Sequence, residues 1–401
     1  AKTAPVTENI DNKYFGKIND STIILELSNV NYLMTKMKIG DQYLMPNLME
    51  NSNALEFSNY YQASSFQDLS SSEFVNYTGL YRKDILNQSS ALTLPKIFSK
   101  YDYETSWLRF EPANFLNRGN LSRSYGFENT TFIDSEQFKR QSEIEKLIIS
   151  KIREIKTTTA KGNKSLTVIQ IPLFIPDTVD STVSNINSLN LNSRVKLNLV
   201  YAHEVDKIIS RINKELNSSN ITSIVTSLSS TDLIGFDNSD FRLGLEKNQF
   251  SFSIDSKDNL AQKLFSNNAL SDNFYYQNLI MKRLPLVILN KNIEKSSISE
   301  LGTQLDFMPT IGFLLGKVEQ FLGPGSSILS NVNQNVLIKS SFNKYRADYL
   351  INSKYLYLNN NNNPFRGECF SSVDLKPVRD SECWGMLESA ESRLYLIDSL
   401  I

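Results

Sequence analysis

The chain has 401 residues, with 42 Lys and Arg against 43 Asp and Glu and one His, giving a formal charge of −1. Such a balance excludes the broad basic surface of a nucleic-acid or anionic-membrane binder, and no run of about 18 apolar residues exists to cross a bilayer. The length suits one large α/β domain or two ordinary ones with a sizeable core.

The opening, Ala1–Pro5, has no initiator Met and resembles an end left by cleavage, or a chain begun at a domain boundary. Residues up to about Lys17 are polar and predict an extended tail. Ser21–Ser28 reads as a buried strand and Leu55–Tyr61 as a second. Between them, Pro46 suits the first turn of a short helix. Ser70 opens the next helix as an N-cap candidate.

Ile144, Leu147, Ile148, Ile152 and Ile155 repeat at helical spacing, followed by a strand over Leu166–Ile171. A periodic helix over Val200–Leu216 feeds a strand over Ile221–Leu228, and Leu284–Leu289 is the next strand. Ser299–Gly316 then shows a polar approach, an Asp306 cap, Pro309 in the first turn, an apolar helix and a closing glycine.

After Gly325 the pattern shortens to strand-like pieces at Asn335–Lys339 and Tyr355–Leu358, with an Asn359–Asn363 hairpin-like loop. Strands alternating with helices predict an α/β fold, a mostly parallel sheet sandwiched by helices, with a small antiparallel C-terminal subdomain. The expected divisions are a tail over 1–20, a core over 21–325, and a small strand-rich subdomain with a terminal helix over 326–401. Cys369 and Cys383 are close in sequence, which suits a local disulfide in an oxidising compartment; two buried thiols are the alternative.

The segment from Gln304 to Thr310 resembles a helix start of the alkaline-phosphatase and sulfatase superfamily, in its lipoteichoic-acid-synthase-like branch. Leu25–Ser28 resembles the family's Leu-Glu strand end, Met45–Met49 its Thr-Pro-Asn-Leu, and Ala54–Tyr61 its Gly-Leu-x-Phe-Ser-Asn-Phe-Tyr. The resemblance implies a divalent metal that lowers a hydroxyl's pKa and stabilises charge on a phosphoryl or sulfuryl group. It makes Glu26 the counterpart of a metal ligand.

The match then departs from the family. Leu69 stands where the nucleophilic Thr belongs, and Ser70, one position on, suits helix capping better than attack. Asp232 matches a ligand Asp, but Leu233 replaces the ligand His. The one histidine, His203, falls on a helix face and matches no family ligand. Lys100, Trp107 and Arg109 resemble the positions that hold a glycerol-phosphate headgroup, with Lys100 in place of a His as a point charge. Residues 126–134 resemble the stretch that closes this segment.

These replacements imply a catalytically inactive, sulfatase-fold protein acting in binding or assembly at a bacterial cell surface, after N-terminal processing. They imply no resident cofactor, or a weakly held manganese or magnesium ion on Glu26 and Asp232. The partners implied are a glycerol-phosphate polymer, a glycan or a cell-surface protein, a second copy of the chain included, and no nucleic acid. The competing expectation is an active phosphoglycerol transferase, phosphodiesterase or sulfatase. It would use Ser70 with Glu26 and Asp232, joined by Asp68 or Asp237.

Overall fold

In the computed structural model of the chain, the described residues are 13–18, 21–64, 69–80, 92–134, 140–217, 219–230, 233, 239–265, 274–316, 325–330, 335–339, 347–359 and 367–400. An eight-stranded sheet forms the centre. Its order is Ser296–Ile298, Ala54–Phe57, Leu286–Leu289, Thr222–Ser227, Thr22–Leu27, Lys164–Ile171, Tyr103–Arg109 and Asn129–Phe132. All neighbours run parallel except Leu286–Leu289, which is antiparallel to both strands beside it.

The Thr22–Leu27 strand is buried at every position, as a central strand covered on both faces should be. Its alternation sends Ile23, Leu25 and Leu27 into one apolar cluster and Ile24 into the other. Glu26 therefore shares the Ile24 face. The first face is covered by the Gln141–Ala160 helix through Ile144, Ile148, Ile152 and Ile155, and by the Ser193–Leu216 helix. The second is covered by the Leu94–Lys100 and Phe307–Leu314 helices.

Some local readings change in the fold. The expected Leu55–Tyr61 strand breaks at a turn, so Ala54–Phe57 joins the large sheet while Tyr60–Tyr61 pairs with Gly302–Thr303. Asp306 is the N-cap residue of the Phe307–Leu314 helix, but its side chain caps none of that helix's amides and serves the preceding Gln304–Asp306 turn, whose cap is Thr303. Its hydroxyl accepts from Leu305 N at 3.2 Å, while Asp306 Oδ2 reaches back to Thr303 N at 2.8 Å and closes a capping box. At the chain opening, residues 13–16 form a turn. Ile18 N donates to Leu314 O at 2.8 Å, and the Phe15 and Phe313 rings meet edge to face.

The C-terminal sheet is antiparallel and sequential: Val336–Lys339, Ala347–Ile351, Tyr355–Asn359 and Gly367–Ser371. Leu337, Leu350 and Tyr357 pack with Met386 and Ala390 of the Ser381–Leu400 helix. Cys369 on the last strand and Cys383 on that helix form a disulfide, with sulfurs 1.99 Å and Cα atoms 6.0 Å apart. Most of the predicted Asn loop, from Asn360 to Asn363, lies outside the described residues. Among the described residues no helix is long and apolar enough to cross a membrane.

Candidate functional site

Glu26 sits near the C-terminal end of its strand, in register with Gln170 and Thr226 on the strands either side. It is buried, at 1% exposure. Two further elements build its surroundings. The Leu69–Thr78 helix presents Glu73 and Tyr77, one turn apart and so on one face. The Tyr103–Arg109 strand, two strands away, sends Trp107 and Arg109 to the same side.

The Tyr77 hydroxyl donates to Glu26 Oε1 at 2.7 Å. Arg109, fully buried, sets Nη1 at 3.7 Å from Glu26 Oε2 and forms an ion pair with Glu73. Arg109 Nε and Nη2 lie 3.0 and 2.8 Å from Glu111 Oε1. Arg118, on the first turn of the Arg118–Tyr125 helix, pairs with the other oxygen of Glu73, and its Nε lies 2.9 Å from Glu111 Oε1. Trp107 stacks on Phe127 with ring centroids 5.1 Å apart, and the Arg109 guanidinium lies 4.8 Å from the Trp107 centroid.

Three carboxylates and two guanidiniums thus share a nearly dry volume. Burial, and then the neighbouring Glu73, push Glu26 up to about 7, against the pull of Arg109, the Tyr77 hydrogen bond and Arg118. With Glu26 protonated, the charges of Glu73, Glu111, Arg109 and Arg118 cancel. Burial by itself would lower Arg109, but Glu73, Glu111 and Glu26 raise it above its ordinary value. Burial and the two carboxylates Glu26 and Glu73 hold Tyr77 well above the usual phenol range.

A manganese or zinc ion wants about four or more donors in fixed geometry. Among the described residues around Glu26, that donor set is missing. Glu73 is held by two guanidiniums, Glu26 Oε1 accepts a hydrogen bond from the Tyr77 hydroxyl, and the positive group facing Oε2 is Arg109. The described residues here do not fit a divalent metal.

The other sequence-derived positions fall as follows. Leu69 and Ser70 open the Leu69–Thr78 helix. Asp232, Asp68 and Asp237 lie outside the described residues. Leu233 is buried and belongs to the apolar cluster on the face opposite Ile24. Lys100 ends the Leu94–Lys100 helix in an exposed position, while Trp107 and Arg109 are enclosed by protein. Glu73, Tyr77, Glu111 and Arg118 were not singled out as site residues from sequence. The four-residue spacing of Glu73 and Tyr77 was the available signal for the first pair.

His203 is an anchored core histidine. Its Nδ1 is 2.9 Å from Leu44 O and its Nε2 is 3.0 Å from Asp180 Oδ2. Asp180, His203 and Glu204 bring potential ligand atoms within 4.8 Å of one another. The Lys207 ammonium already bridges the two acids, at 2.8 Å from Asp180 and 2.6 Å from Glu204. Burial pushes Asp180 up, but hydrogen bonds from Lys207, Val183 N and His203 bring it below the usual carboxylate range. One turn from His203, Asp206 accepts from Asn47 N and Leu48 N, both at 2.9 Å, and so docks the Pro46–Met49 helix.

No family model and no curated protein matches the chain by sequence. Solved structures match over nearly all of it. The lipoteichoic acid synthase LtaP from Listeria monocytogenes superposes with a TM-score of 0.72 at 17% identity, covering 98% of this chain and 95% of that one. An alkaline phosphatase superfamily protein from Vibrio parahaemolyticus gives 0.66 at 13% identity, with 97% and 88% covered. The C-terminal periplasmic domain of EptC from Escherichia coli gives 0.56 at 10% identity, with 85% and 94% covered. With these likenesses, the chain has the α/β fold of the alkaline-phosphatase and sulfatase structures, a mostly parallel sheet flanked by helices with a small antiparallel sheet beside it.

Proposed function

We propose that the chain is a catalytically inactive, metal-independent binding or assembly protein, held outside the cytoplasm at a bacterial cell surface. The observation that carries this reading is the guanidinium of Arg109 facing Glu26. The resemblance makes Glu26 the counterpart of a metal ligand, and the positive group 3.7 Å from its Oε2 is the covalently tethered guanidinium of Arg109. An arginine has no open coordination position, so it neither activates a hydroxyl nor polarises a phosphoryl oxygen as a Lewis acid does. The leucines at positions 69 and 233 agree with this, since neither offers a nucleophile or a ligand.

The Cys369–Cys383 disulfide supports an oxidising compartment, as does the likeness to the periplasmic domain of EptC. A glycerol-phosphate polymer, a glycan or another surface protein is the partner class this reading admits.

Manganese and zinc titration calorimetry with elemental analysis tests it, on wild type and on Glu26→Ala/Asp232→Ala. We expect the same low metal content in both and no turnover of a phosphodiester substrate. Stoichiometric binding, micromolar or tighter, that vanishes in the double variant would overturn the reading. It would make Ser70 the next residue to replace.

A further inference from the structure

A second concavity lies away from Glu26, toward the opposite side of the sheet. Tyr60 and Tyr61 are adjacent, yet Tyr60 packs in the cluster of Trp107 and Tyr61 in that of the Ser193–Leu216 helix. Tyr61 backs a cleft of about 410 Å³ between the α/β core and the C-terminal sheet. That is the size of a small-molecule site. The turns at 257–260 and 299–301 form one wall, and those at 351–353 and 372–375 form the other.

The chemistry of these walls is specific. Their floor is apolar, from buried Leu260, Ile351, Leu356 and Leu375. The rim carries Asn259, Ser299, Ser353 and Ser372, whose side chains hold no protein partner among the described residues. The cation at the back is already engaged: Arg283 donates to both oxygens of Asp258 and, through Nε, to the Tyr61 hydroxyl at 3.0 Å. The rim also carries one ammonium, Lys257, and one carboxylate, Glu300, so together they add no net charge to the lining. A phosphate or sulfate would want a free guanidinium or a cluster of ammonium groups. A sugar, with apolar ring faces and hydroxyl edges, matches an apolar floor under a ring of amides and hydroxyls.

Leu375 backs both this cleft and the groove that continues past Gln262. It is buried with φ at 55°, a left-handed conformation costly for a leucine and found where surrounding structure enforces it, often at ligand sites.

We infer that this cleft binds a neutral carbohydrate chain, at a site separate from the Glu26 cluster. The inference rests on the reading of the chain as a binding protein. The test is calorimetry and saturation-transfer NMR on the full chain with maltotriose, cellotriose and triacetylchitotriose, and with glycerol 3-phosphate as the anionic comparison. Ser299→Trp and Ser353→Trp fill the cleft from its two exposed walls.

At least one neutral trisaccharide is expected to bind at millimolar affinity or better. Both tryptophan variants should weaken it by about tenfold or more at unchanged melting temperature, and glycerol 3-phosphate should not displace it. Absence of binding by all three sugars, binding untouched by both variants, or binding of glycerol 3-phosphate alone would overturn the inference. The metal titration above is independent of this result. Metal uptake with turnover would remove the inactive reading without changing a measured sugar affinity, whereas sugar failure without metal uptake would remove only the cleft.

Discussion

Replacing Glu26 with glutamine should change how stability depends on pH more than it changes the fold. The carboxamide keeps the shape and can still accept from Tyr77, which reaches Glu26 Oε1 at 2.7 Å. In the folded chain Glu26 titrates near 7, against 4.5 for an unhindered glutamate. Below about 4.5 both folded and unfolded forms carry the proton, and its contribution to stability is fully present. From there to about 7 the unfolded chain ionises while the folded chain keeps its proton, so stability is lost as pH rises. Each pH unit in that window removes about 1.4 kcal/mol.

Over the 2.5 units between those values the loss is about 3 kcal/mol, and it levels off above 7. Full burial leaves no solvent screening to discount. Glutamine cannot ionise, so its stability should lack this decline. Urea unfolding of both proteins from pH 4 to 8 reads the difference, with the variant gaining steadily on wild type. A constant difference, or wild type gaining as pH rises, would refute the reasoning. It would mean that the folded chain holds Glu26 as a carboxylate, as a bound cation would require.

Three other outcomes follow from the same geometry. Arg109→Met should cost about 3–5 kcal/mol in chemical unfolding, because Glu73 and Glu111 lose a buried partner, and Arg109→Lys should not restore it, since one ammonium cannot reach both acids as a fork does. Asn76 is fully buried, and neither amide atom has a partner among the described residues, so Asn76→Leu should leave the protein equally stable or about 1 kcal/mol more stable by thermal melting; a clear loss would mean the amide is paired, by ordered water or by another part of the chain. Reducing the Cys369–Cys383 bridge, which spans a separation of 14 residues, should cost about 3 kcal/mol, seen as an earlier melt in dithiothreitol and absent in the Cys369→Ser/Cys383→Ser protein.

The two scales of information behaved differently along this chain. Buried strands such as Thr22–Leu27 and long helices such as Gln141–Ala160 and Ser193–Leu216 were legible because apolar spacing repeats over many residues. The Tyr103–Arg109 strand was not read as one, because Glu104, Ser106 and Arg109 break an apolar run. The antiparallel entry of Leu286–Leu289 was equally hidden, since a four-residue apolar run carries no direction. In the site, Glu26 and Arg109 were both picked out. Their meeting was not, nor was the recruitment of Glu73, Glu111 and Arg118.

Taken alone, then, the amino-acid sequence determined the alternation of strands and helices, the near-neutral surface and the absence of a hydroxyl at position 69 and an imidazole at position 233. Those are local properties, written in residue type and spacing. Only the tertiary structure decided that Arg109 turns inward. The strand order places residues 26 and 109 two strands apart on one face, and the Leu69–Thr78 helix closes over them. A guanidinium in water and one packed against Glu26, Glu73 and Glu111 have the same letter in the sequence. What separates them is burial, which makes pairing obligatory and so turns a residue expected to hold an anionic ligand into an internal counter-charge.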